Sequence, residues 1–404
     1  MIGGAYAAPA LSDALDPLAG VERSFATDLV YGTLRWLPYL DAALAPRLRE
    51  PDMLPQDVRD ALRLGAWEKL IKGTPPYALV DAWVEIVKGR WPKLAPLANA
   101  VLRRVDAPPN PTHAERVALP PWLFEAFEAA LGDDATRAAE GMLRPEPLWL
   151  TVHRAGAAEV LAEDGADVED GPVPHTLRVR LPVPLGATRA FREGWVQPQN
   201  PASSLPTRWL DARPGERVLD LASGRGIKSA QLASAGARVV AVESSRRRSR
   251  QAEANLRRLG LDAEHVVADL ASVPDLDPAR RVLLDAPCTG TGTLRGHPEI
   301  KLRVTPEDVA SLADLQRRLL DTAAALTLPG GRLVYAVCSL TRAEGEDQVA
   351  AFVQRHPAFS SRPLRPSVPH RPTPHGVYVL PVEGLDGFFV SVLEHGVAGD
   401  ATRV

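Results

Sequence analysis

The regular alternation of strand-like and helical segments after about residue 206 constrains the fold of this chain most. Short apolar, β-branched runs predict strands, and the longer amphipathic runs between them predict helices. An alternating order of strands and helices indicates a parallel, doubly wound α/β sheet. The predicted strands are 217–221, 238–243, 265–268, 281–285 and 332–338, and the predicted helices are about 227–235, 245–259 and 306–327. Two later runs, 376–381 and 387–393, predict an antiparallel pair.

The chain before this region is expected to form two smaller parts. Residues 1–115 predict a small all-α bundle, because apolar residues between 80 and 87 recur at the spacing of one helical face. Residues 116–205 are mixed, and short alternating strands at 149–153 and 177–181 predict a small α+β subdomain. We therefore expect a multidomain chain of 404 residues, divided into 1–115, 116–205, 206–396 and a tail at 397–404.

Composition narrows the classes of function. The 47 basic and 50 acidic residues give a net charge of −3, so bulk charge does not indicate a nucleic-acid partner. The two cysteines, Cys288 and Cys338, are too few for a disulfide framework or a cysteine-only zinc site, and no metal is expected. No signal pattern opens the sequence and no apolar run approaches membrane-spanning length, so we expect a cytoplasmic protein without membrane association.

Polar residues follow three consecutive predicted strands. The first strand leads into a glycine-containing loop, Ala222 to Lys228, in which Gly224 and Gly226 allow a sharp turn and a close approach to a ligand. Glu243 ends the second strand, where a carboxylate can accept both ribose hydroxyls, and Asp269 follows the third. Because Ser229 stands where a dinucleotide fingerprint has its third glycine, the match to NAD sites is weak. The pattern is compatible with NAD or S-adenosylmethionine, and the alternative is a structural tight turn.

Both cysteines lie at the ends of predicted strands. Cys288 comes three residues after Asp285, and Cys338 ends the strand at 332–338. A cysteine is more often a small buried hydrophobe than a nucleophile. If these strands are neighbours, however, both thiols reach the crevice where such sheets bind their ligands.

A thiol beside a methyl donor suits one reaction in particular. Carbon 5 of a pyrimidine is a poor nucleophile, and addition of a thiolate to carbon 6 activates it before methyl transfer, loss of the carbon 5 proton and elimination of the thiol. The nucleophile has to ionise, and a partly desolvated carboxyl group bonded to ring N3 stabilises the adduct. Asp285 fits that second role.

Several long motifs resemble the NOL/NOP/Sun family of RNA 5-methylcytosine methyltransferases. The most distinctive is the run at 285–301, DAPCTGTGTLRGHPEIK, and the second is YAVCSL at 335–340 followed by Glu344 and Glu346. Segments at 194–203 and 385–389 resemble further parts of the family, so the match extends from about residue 20 to 395. The resemblance implies a Rossmann-like, S-adenosylmethionine-dependent methyltransferase domain that acts on a cytosine of RNA.

The resemblance also implies roles for individual residues. Cys338 matches the nucleophile, Cys288 matches the cysteine that assists product release, and Asp285 matches the residue that holds the cytosine near the cofactor. The positions that match the cofactor site are Ala222, Ser223, Gly224, Arg225, Gly226, Ile227, Lys228, Glu243, Asp269 and Asp285.

The predicted N-terminal helical region resembles one group of proteins within this family. Segments 29–36, 71–80 and 97–104 are similar to the NusB-like RNA-binding domain of family members that methylate a cytosine of small-subunit ribosomal RNA. The implied architecture is an N-terminal all-α NusB-like bundle, a small α+β linker subdomain and the methyltransferase domain. The implied partner is small-subunit rRNA, and we expect a monomer.

The sequence departs from the family pattern in three places. Arg225 and Ile227 replace a proline and a glycine in the cofactor loop, and Asn200 stands where an aspartate is usual. The first helix of the NusB-like bundle is expected to be absent.

These departures keep other functions open. The altered loop motivates one alternative, a NusB-like RNA-binding assembly factor that has lost its activity. A tRNA or DNA cytosine enzyme is a further alternative. DNA cytosine-5 methyltransferases carry their nucleophile in a Pro-Cys pair, which would make Cys288 the nucleophile.

Four basic residues are expected to contact RNA. Arg295, Lys301 and Arg303 follow the Cys288 loop, and Arg248 lies in the arginine-rich helix after the Glu243 strand. Phosphate contacts by such residues supply most of the affinity for RNA. The alternative for the arginine-rich helix is an ordinary solvated face.

Overall fold

The structure is a computed structural model that describes residues 10–11, 14–16, 18, 20–272 and 275–397. The chain divides into two compact units. Unit 1 comprises Met1–Glu125, Ala139–Pro145 and Leu294–Arg303, and unit 2 comprises Ala126–Ala138, Glu146–Thr293 and Val304–Val404. The expectation about an absent first helix concerns the chain before residue 20, which lies largely outside the described residues. The domain borders expected from the sequence stay a prediction.

Unit 1 is helical throughout its described part, as predicted. Its helices are α1 (Gly20–Leu44), α2 (Gln56–Trp67), α3 (Pro76–Arg90), α4 (Ala95–Arg104) and the short α5 (His113–Arg116). A π-helical turn at Glu68–Lys72 extends α2 and ends at Gly73, which has φ 77°. Helices α6 (Pro121–Leu131) and α7 (Ala135–Gly141) each have residues in both units.

Close helix packing holds unit 1 together. A Cβ on Gly32 of α1 would come within 2.2 Å of the Trp67 ring, and one on Gly65 within 2.9 Å of Leu102, so only glycine lets these helices approach. Trp83 donates its indole N–H to the buried carboxylate of Glu68 at 2.7 Å, which satisfies both polar groups inside the apolar core.

The first part of unit 2 contains a four-stranded antiparallel sheet. Its order is β2-β3-β1-β4, formed by β1 (Leu148–Val152), β2 (Asp167–Asp170), β3 (Thr176–Arg180) and β4 (Val196–Pro198). Helices α8 (Ala157–Glu163) and α9 (Arg189–Arg192) connect these strands, and α10 (Pro201–Leu210) follows them. The two strands predicted for this region are β1 and β3, each shifted by one residue.

A nine-stranded mixed sheet forms the rest of unit 2. The order is β11-β12-β13-β9-β8-β5-β6-β7, and β10 pairs with β13. The strands are β5 (Arg217–Leu221), β6 (Arg238–Val242), β7 (Glu264–Val266), β8 (Ala279–Asp285), β9 (Thr327–Val337), β10 (Phe359–Arg362), β11 (His370–Thr373), β12 (Gly376–Val379) and β13 (Phe388–His395). The helices are α11 (Ile227–Ser234), α12 (Arg246–Leu259), α13 (Pro306–Ala325) and α14 (Glu346–Arg355).

The centre of this sheet is parallel and its edge is antiparallel. Strands β7, β6, β5, β8 and β9 run parallel, and β13 pairs antiparallel with both β9 and β12. The five predicted strands and the closing antiparallel pair are therefore confirmed. Strand order reverses between β5 and β8, which creates a crevice at their carboxyl ends, the usual ligand site of such sheets.

No helix in the described ranges is both long and apolar enough to cross a membrane.

Candidate active site

The loop after β5 is shaped by backbone that enters the left-handed region. Ala222, Gly224 and Gly226 have φ values of 60°, 59° and 73°. A Cβ on Gly226 would lie 2.8 Å from the Ala252 side chain of α12, so Gly226 permits the loop to pack against that helix. A Cβ on Gly224 would have the Ala222 carbonyl oxygen, at 3.9 Å, as its one neighbour within 4 Å among the described residues, and this part of the loop is open to a ligand.

Glu243 fixes the loop from the neighbouring strand. Its side chain is 4% exposed, and its Oε2 accepts a hydrogen bond from the Gly224 N–H at 3.0 Å. Its Oε1 accepts from the Ser245 N–H at 2.8 Å. Glu243 therefore ties the β5 loop to the start of α12.

Asp269 occupies a different environment. It is exposed, and its Oδ1 accepts a hydrogen bond from the Ala271 N–H at 2.9 Å within its own loop. It follows β7, next to β6 in the sheet, as the sequence predicted.

Lys228, in the first turn of α11, forms an ion pair with Asp285, the last residue of β8. The Lys228 Nζ lies 2.7 Å from Asp285 Oδ2 and also donates to Ser203 Oγ at 3.1 Å. Their side chains are 9% and 32% exposed. Although burial alone would lower it, the charge of Asp285 and the hydrogen bond to it raise the pKa of Lys228. Lys228 is therefore a permanent cation beside Asp285.

Asp220 is a buried acid behind this pair. It is fully buried at the end of β5, and Ser229 donates to its Oδ2. Burial raises the pKa of Asp220 to about 7; the Ser229 hydrogen bond lowers it in part, and the charge of Asp285 adds to the increase.

The two cysteines are in contact. Cys288 Sγ lies 3.4 Å from Cys338 Sγ, and each residue is partly buried. The hydrogen bond to Cys338, burial and the nearby charge of Glu344 raise the pKa of the Cys288 thiol well above its usual value. Strands β8 and β9 are neighbours, which is the condition under which the sequence placed both thiols in one crevice.

One buried acid beside the cysteines belongs to the second sequence motif, but sequence reasoning assigned it no role. Glu344 is fully buried, and its carboxylate accepts hydrogen bonds from the Cys288 loop and from the segment after Cys338. The signal available in the sequence was an acid six residues after Cys338, and nothing in that spacing showed that it would face Thr289.

A cleft of about 610 Å³ brings most of the predicted residues together. Among the predicted residues, those that line it are Ala222, Ser223, Gly224, Arg225, Ile227, Lys228, Asp285 and Cys338. The predicted residues that do not line it are Gly226, Glu243, Asp269 and Cys288. Gly226 packs against α12, and Cys288 contacts the cleft residue Cys338.

Asn200, where the family usually has aspartate, also lines the cleft. Its side-chain oxygen caps α10 through the Ala202 N–H at 3.1 Å and accepts from the Asp386 N–H at 3.0 Å. Its amide group donates to the Gly384 carbonyl at 3.1 Å. Asparagine can make the last contact because it has a donor that aspartate lacks.

Two of the four predicted RNA contacts are wrong. Arg295 and Lys301 are 2% and 4% exposed within unit 1, so they present no surface to RNA. The Lys301 Nζ donates to the carbonyl oxygens of Arg35 and Ala118, and burial with the nearby Arg35 charge lowers its pKa to about 7. Arg303 and Arg248 are exposed, as a phosphate contact requires.

Among the described residues, no group of three or more His, Cys, Asp or Glu side chains could hold a metal ion.

Comparison with known proteins agrees with this site. Residues 207–394 match the family model for 16S rRNA methyltransferase RsmB/F, and residues 4–107 match that of the NusB family. Ribosomal RNA small subunit methyltransferase B of Thermus thermophilus is 47% identical over 372 residues, which cover 92% of this chain and 88% of that protein.

Solved structures share the fold. The crystal structure of PH0851 matches with a TM-score of 0.77 and 27% identity, over 94% of this chain and 91% of that one. A methyltransferase homolog from Pyrococcus horikoshii matches with a TM-score of 0.60 and 26% identity, over 70% of this chain and 97% of that one. From its sequence relationship over nine-tenths of its length, the chain belongs to the ribosomal RNA small subunit methyltransferase B family of S-adenosylmethionine-dependent methyltransferases.

Proposed function

We propose that this protein methylates carbon 5 of a cytosine in small-subunit ribosomal RNA through a covalent bond between Cys338 and carbon 6. The observation that carries the proposal is the position of Cys338: it lines the cleft with Asp285 and the β5 loop, and its sulfur touches that of Cys288. A nucleophile and an acid thus share one crevice, and a second thiol is in contact with the nucleophile, which is the set that the reaction needs.

The residues of the cleft fit S-adenosylmethionine. The Ser223 hydroxyl is buried without a hydrogen-bond partner among the described residues, and it lies on the loop that lines the cleft. Glu243 Oε2 accepts one hydrogen bond from the loop and retains a lone pair for a ribose hydroxyl. In this proposal the β5 loop, Glu243 and Asp269 hold the cofactor, which supplies an electrophilic methyl group when bound.

The chain's own residues would perform the remaining steps. The Cys338 thiolate adds to carbon 6 and pushes electron density onto carbon 5, while Asp285, held by Lys228, faces ring N3. After methyl transfer, carbon 5 gives its proton to water or another base, and the electrons of that C–H bond form the double bond between carbons 5 and 6. The bond between carbon 6 and Cys338 breaks as the thiolate leaves, which restores the aromatic ring. The Cys288 thiol can donate a hydrogen bond to the departing Cys338 sulfur, and this contact accounts for the proposed role in release. The target base has to leave its stack to reach the cleft.

The domain assignment is part of the same proposal. We infer that residues 1–115 form a NusB-like RNA-binding domain, 116–205 a linker subdomain and 206–396 the catalytic domain, followed by a tail at 397–404. Arg303 and Arg248 remain the proposed RNA contacts. The protein is proposed to act as a cytoplasmic monomer on rRNA.

A methyl-transfer assay on three nucleic acids tests the substrate. Purified protein with labelled S-adenosylmethionine is expected to label small-subunit rRNA, and the label should appear as 5-methylcytosine after nucleoside analysis. Transfer RNA and duplex DNA of equal cytosine content are expected to remain unlabelled, as is rRNA incubated with Cys338→Ala. Preferential labelling of tRNA or DNA would refute the rRNA assignment, and no labelling of any of the three would favour an inactive RNA-binding factor.

A further inference from the structure

Glu344 joins the two cysteine loops through one buried carboxylate. Its Oε1 accepts from the Thr289 N–H at 2.8 Å, and its Oε2 accepts from the Thr289 hydroxyl at 2.5 Å. Thr289 is the residue directly after Cys288. On the other side, Oε2 accepts from the hydroxyl of Ser339, the residue directly after Cys338, at 2.6 Å. One side chain therefore holds the neighbours of both thiols.

The remaining contacts of Glu344 make this arrangement rigid. The Thr341 hydroxyl donates to Oε2 at 3.1 Å, and Gln316 donates to Oε1 at 3.2 Å. Gln316 also donates to the carbonyl of Pro287, the residue before Cys288, at 2.9 Å. The Tyr335 hydroxyl donates to the backbone carbonyl of Glu344 at 2.6 Å. The Glu344 carboxylate thus accepts five hydrogen bonds from N–H and O–H groups, which stabilise its negative charge away from water.

We propose that Glu344 is a positioning residue of the methyl-transfer reaction, which fixes the contact between the two cysteine sulfurs and, by its negative charge, keeps the proton of the pair on Cys288. This proposal rests on the proposed function, since it assigns Cys338 as the thiolate and Cys288 as the thiol. A negative charge close to Cys288 disfavours a second negative charge there. The 3.4 Å contact then lets the Cys288 thiol donate to the Cys338 sulfur.

The other titratable groups near the thiols do not favour a proton on Cys288 over Cys338 in the way that Glu344 does. Lys228 interacts with Cys338 and forms an ion pair with Asp285, and Tyr335 interacts with Cys288. Lys228 and Asp285 line the cleft with Cys338, whereas Glu344 bonds the Cys288 loop directly.

The test compares Glu344→Gln with Glu346→Gln, a matched control from the same motif. A glutamine at position 344 would keep the shape of the side chain and remove its charge. The first readout is the alkylation of each thiol by iodoacetamide across pH 6–10, followed by peptide mass spectrometry, and it requires no RNA. Glu344→Gln is expected to raise the rate of Cys288 alkylation relative to Cys338 by about tenfold near neutral pH, the effect of a shift of about one pKa unit. Glu346→Gln is expected to match the wild type.

The second readout separates charge from geometry. Glu344→Gln is expected to lower kcat by about 10- to 100-fold with an unchanged KM for S-adenosylmethionine, because a misplaced reacting group costs rate rather than cofactor binding. Glu344→Asp keeps the charge, so its alkylation ratio should equal that of the wild type while kcat is restored only in part.

Each outcome decides the proposal. A Glu344→Gln protein with the alkylation ratio and kcat of the wild type would overturn it. If Glu344→Gln does not fold, as judged by its thermal unfolding, Thr289→Val removes one donor and keeps the charge: a reduced kcat supports the positioning role, and an unchanged kcat overturns it. Failure of the wild type to methylate RNA would refute the proposed function instead, and the alkylation ratio would still report on Glu344.

Discussion

At the scale of the residue, the site depends on where buried charges are placed. Asp220 lies in β5, and Asp285 ends the neighbouring parallel strand β8. Lys228, in α11, forms a direct ion pair with Asp285. Asp220 is fully buried, and its Oδ1 has no hydrogen-bond partner among the described residues. An acid in this position gains little from ionisation, because a buried charge without enough partners is costly.

The first consequence is a stability that depends on pH. The pKa of Asp220 is about 7 in the folded chain, which is higher than its ordinary value of 3.8. The folded state therefore holds this proton more tightly, so the stabilising contribution is complete below about pH 4 and is lost as pH rises through about 7. Asp220→Asn removes the titration. Relative to Asp220→Asn, the wild type is expected to lose stability between pH 5 and pH 8.

Urea unfolding of both proteins at pH 5, 6, 7 and 8 measures this difference. Asp269→Asn, a change at an exposed acid, is the control and should follow the pH dependence of the wild type. Parallel pH profiles for the wild type and Asp220→Asn would show that Asp220 does not take up a proton in this range.

At the scale of the element, the segment Leu294–Arg303 shows how burial changes the meaning of a basic residue. The sequence shows three cations within nine residues and predicts an RNA-facing loop. In the structure the segment belongs to unit 1, Lys301 is bonded to the carbonyls of Arg35 and Ala118, and Arg35 donates to the Arg295 carbonyl at 2.9 Å. These contacts join residues more than 180 positions apart in the sequence, which no local pattern can show.

This arrangement predicts opposite effects for two neighbouring substitutions. Lys301→Met leaves two carbonyl groups without their donor and is expected to destabilise unit 1 by about 2–4 kcal/mol. It should leave the salt dependence of RNA affinity unchanged. Arg303→Ala removes an exposed cation, so it should leave the stability unchanged and reduce the slope of log affinity against log salt by up to about 0.7.

Thermal unfolding and RNA filter binding between 50 and 200 mM salt, conditions in which phosphate contacts change affinity strongly, measure the two effects. A smaller salt slope for Lys301→Met with normal unfolding would restore Lys301 as an RNA contact and contradict its burial.

Elements whose own sequence carries a clear pattern were predicted, and elements that are held in place by contacts from elsewhere in the chain were missed or misplaced. The parallel strands β5, β6 and β8 are apolar on both faces, and that pattern located them. Strand β2 was missed because three of its four residues are acidic, and it is held at a sheet edge by Arg178 and Arg180. Strand β9 begins at Thr327, whereas the predicted strand began at Arg332, after the Pro329–Gly331 run. The strand can include that run because the pairing of β8 with β9 has a register irregularity between Ala279 and Arg281.

At the scale of the whole molecule, the order of the strands assembles the candidate site. Cys288 and Cys338 are 50 residues apart and touch because β8 and β9 are neighbours. The sequence could predict that both thiols follow strands, and motif resemblance gave their proposed roles. It could not show the Glu344 contacts, or that Cys338 lines the cleft and Cys288 does not, because those depend on loop conformations.

The central claim is that Cys338 forms the covalent bond and that Cys288 permits its release. The most direct measurement expresses the wild type, Cys288→Ala and Cys338→Ala in cells and analyses each protein on a denaturing gel with and without nuclease. We expect a slowly migrating, nuclease-sensitive band for Cys288→Ala alone, and sequencing of its RNA should identify small-subunit rRNA. A band for Cys338→Ala alone would contradict the account, because it would make Cys288 the nucleophile.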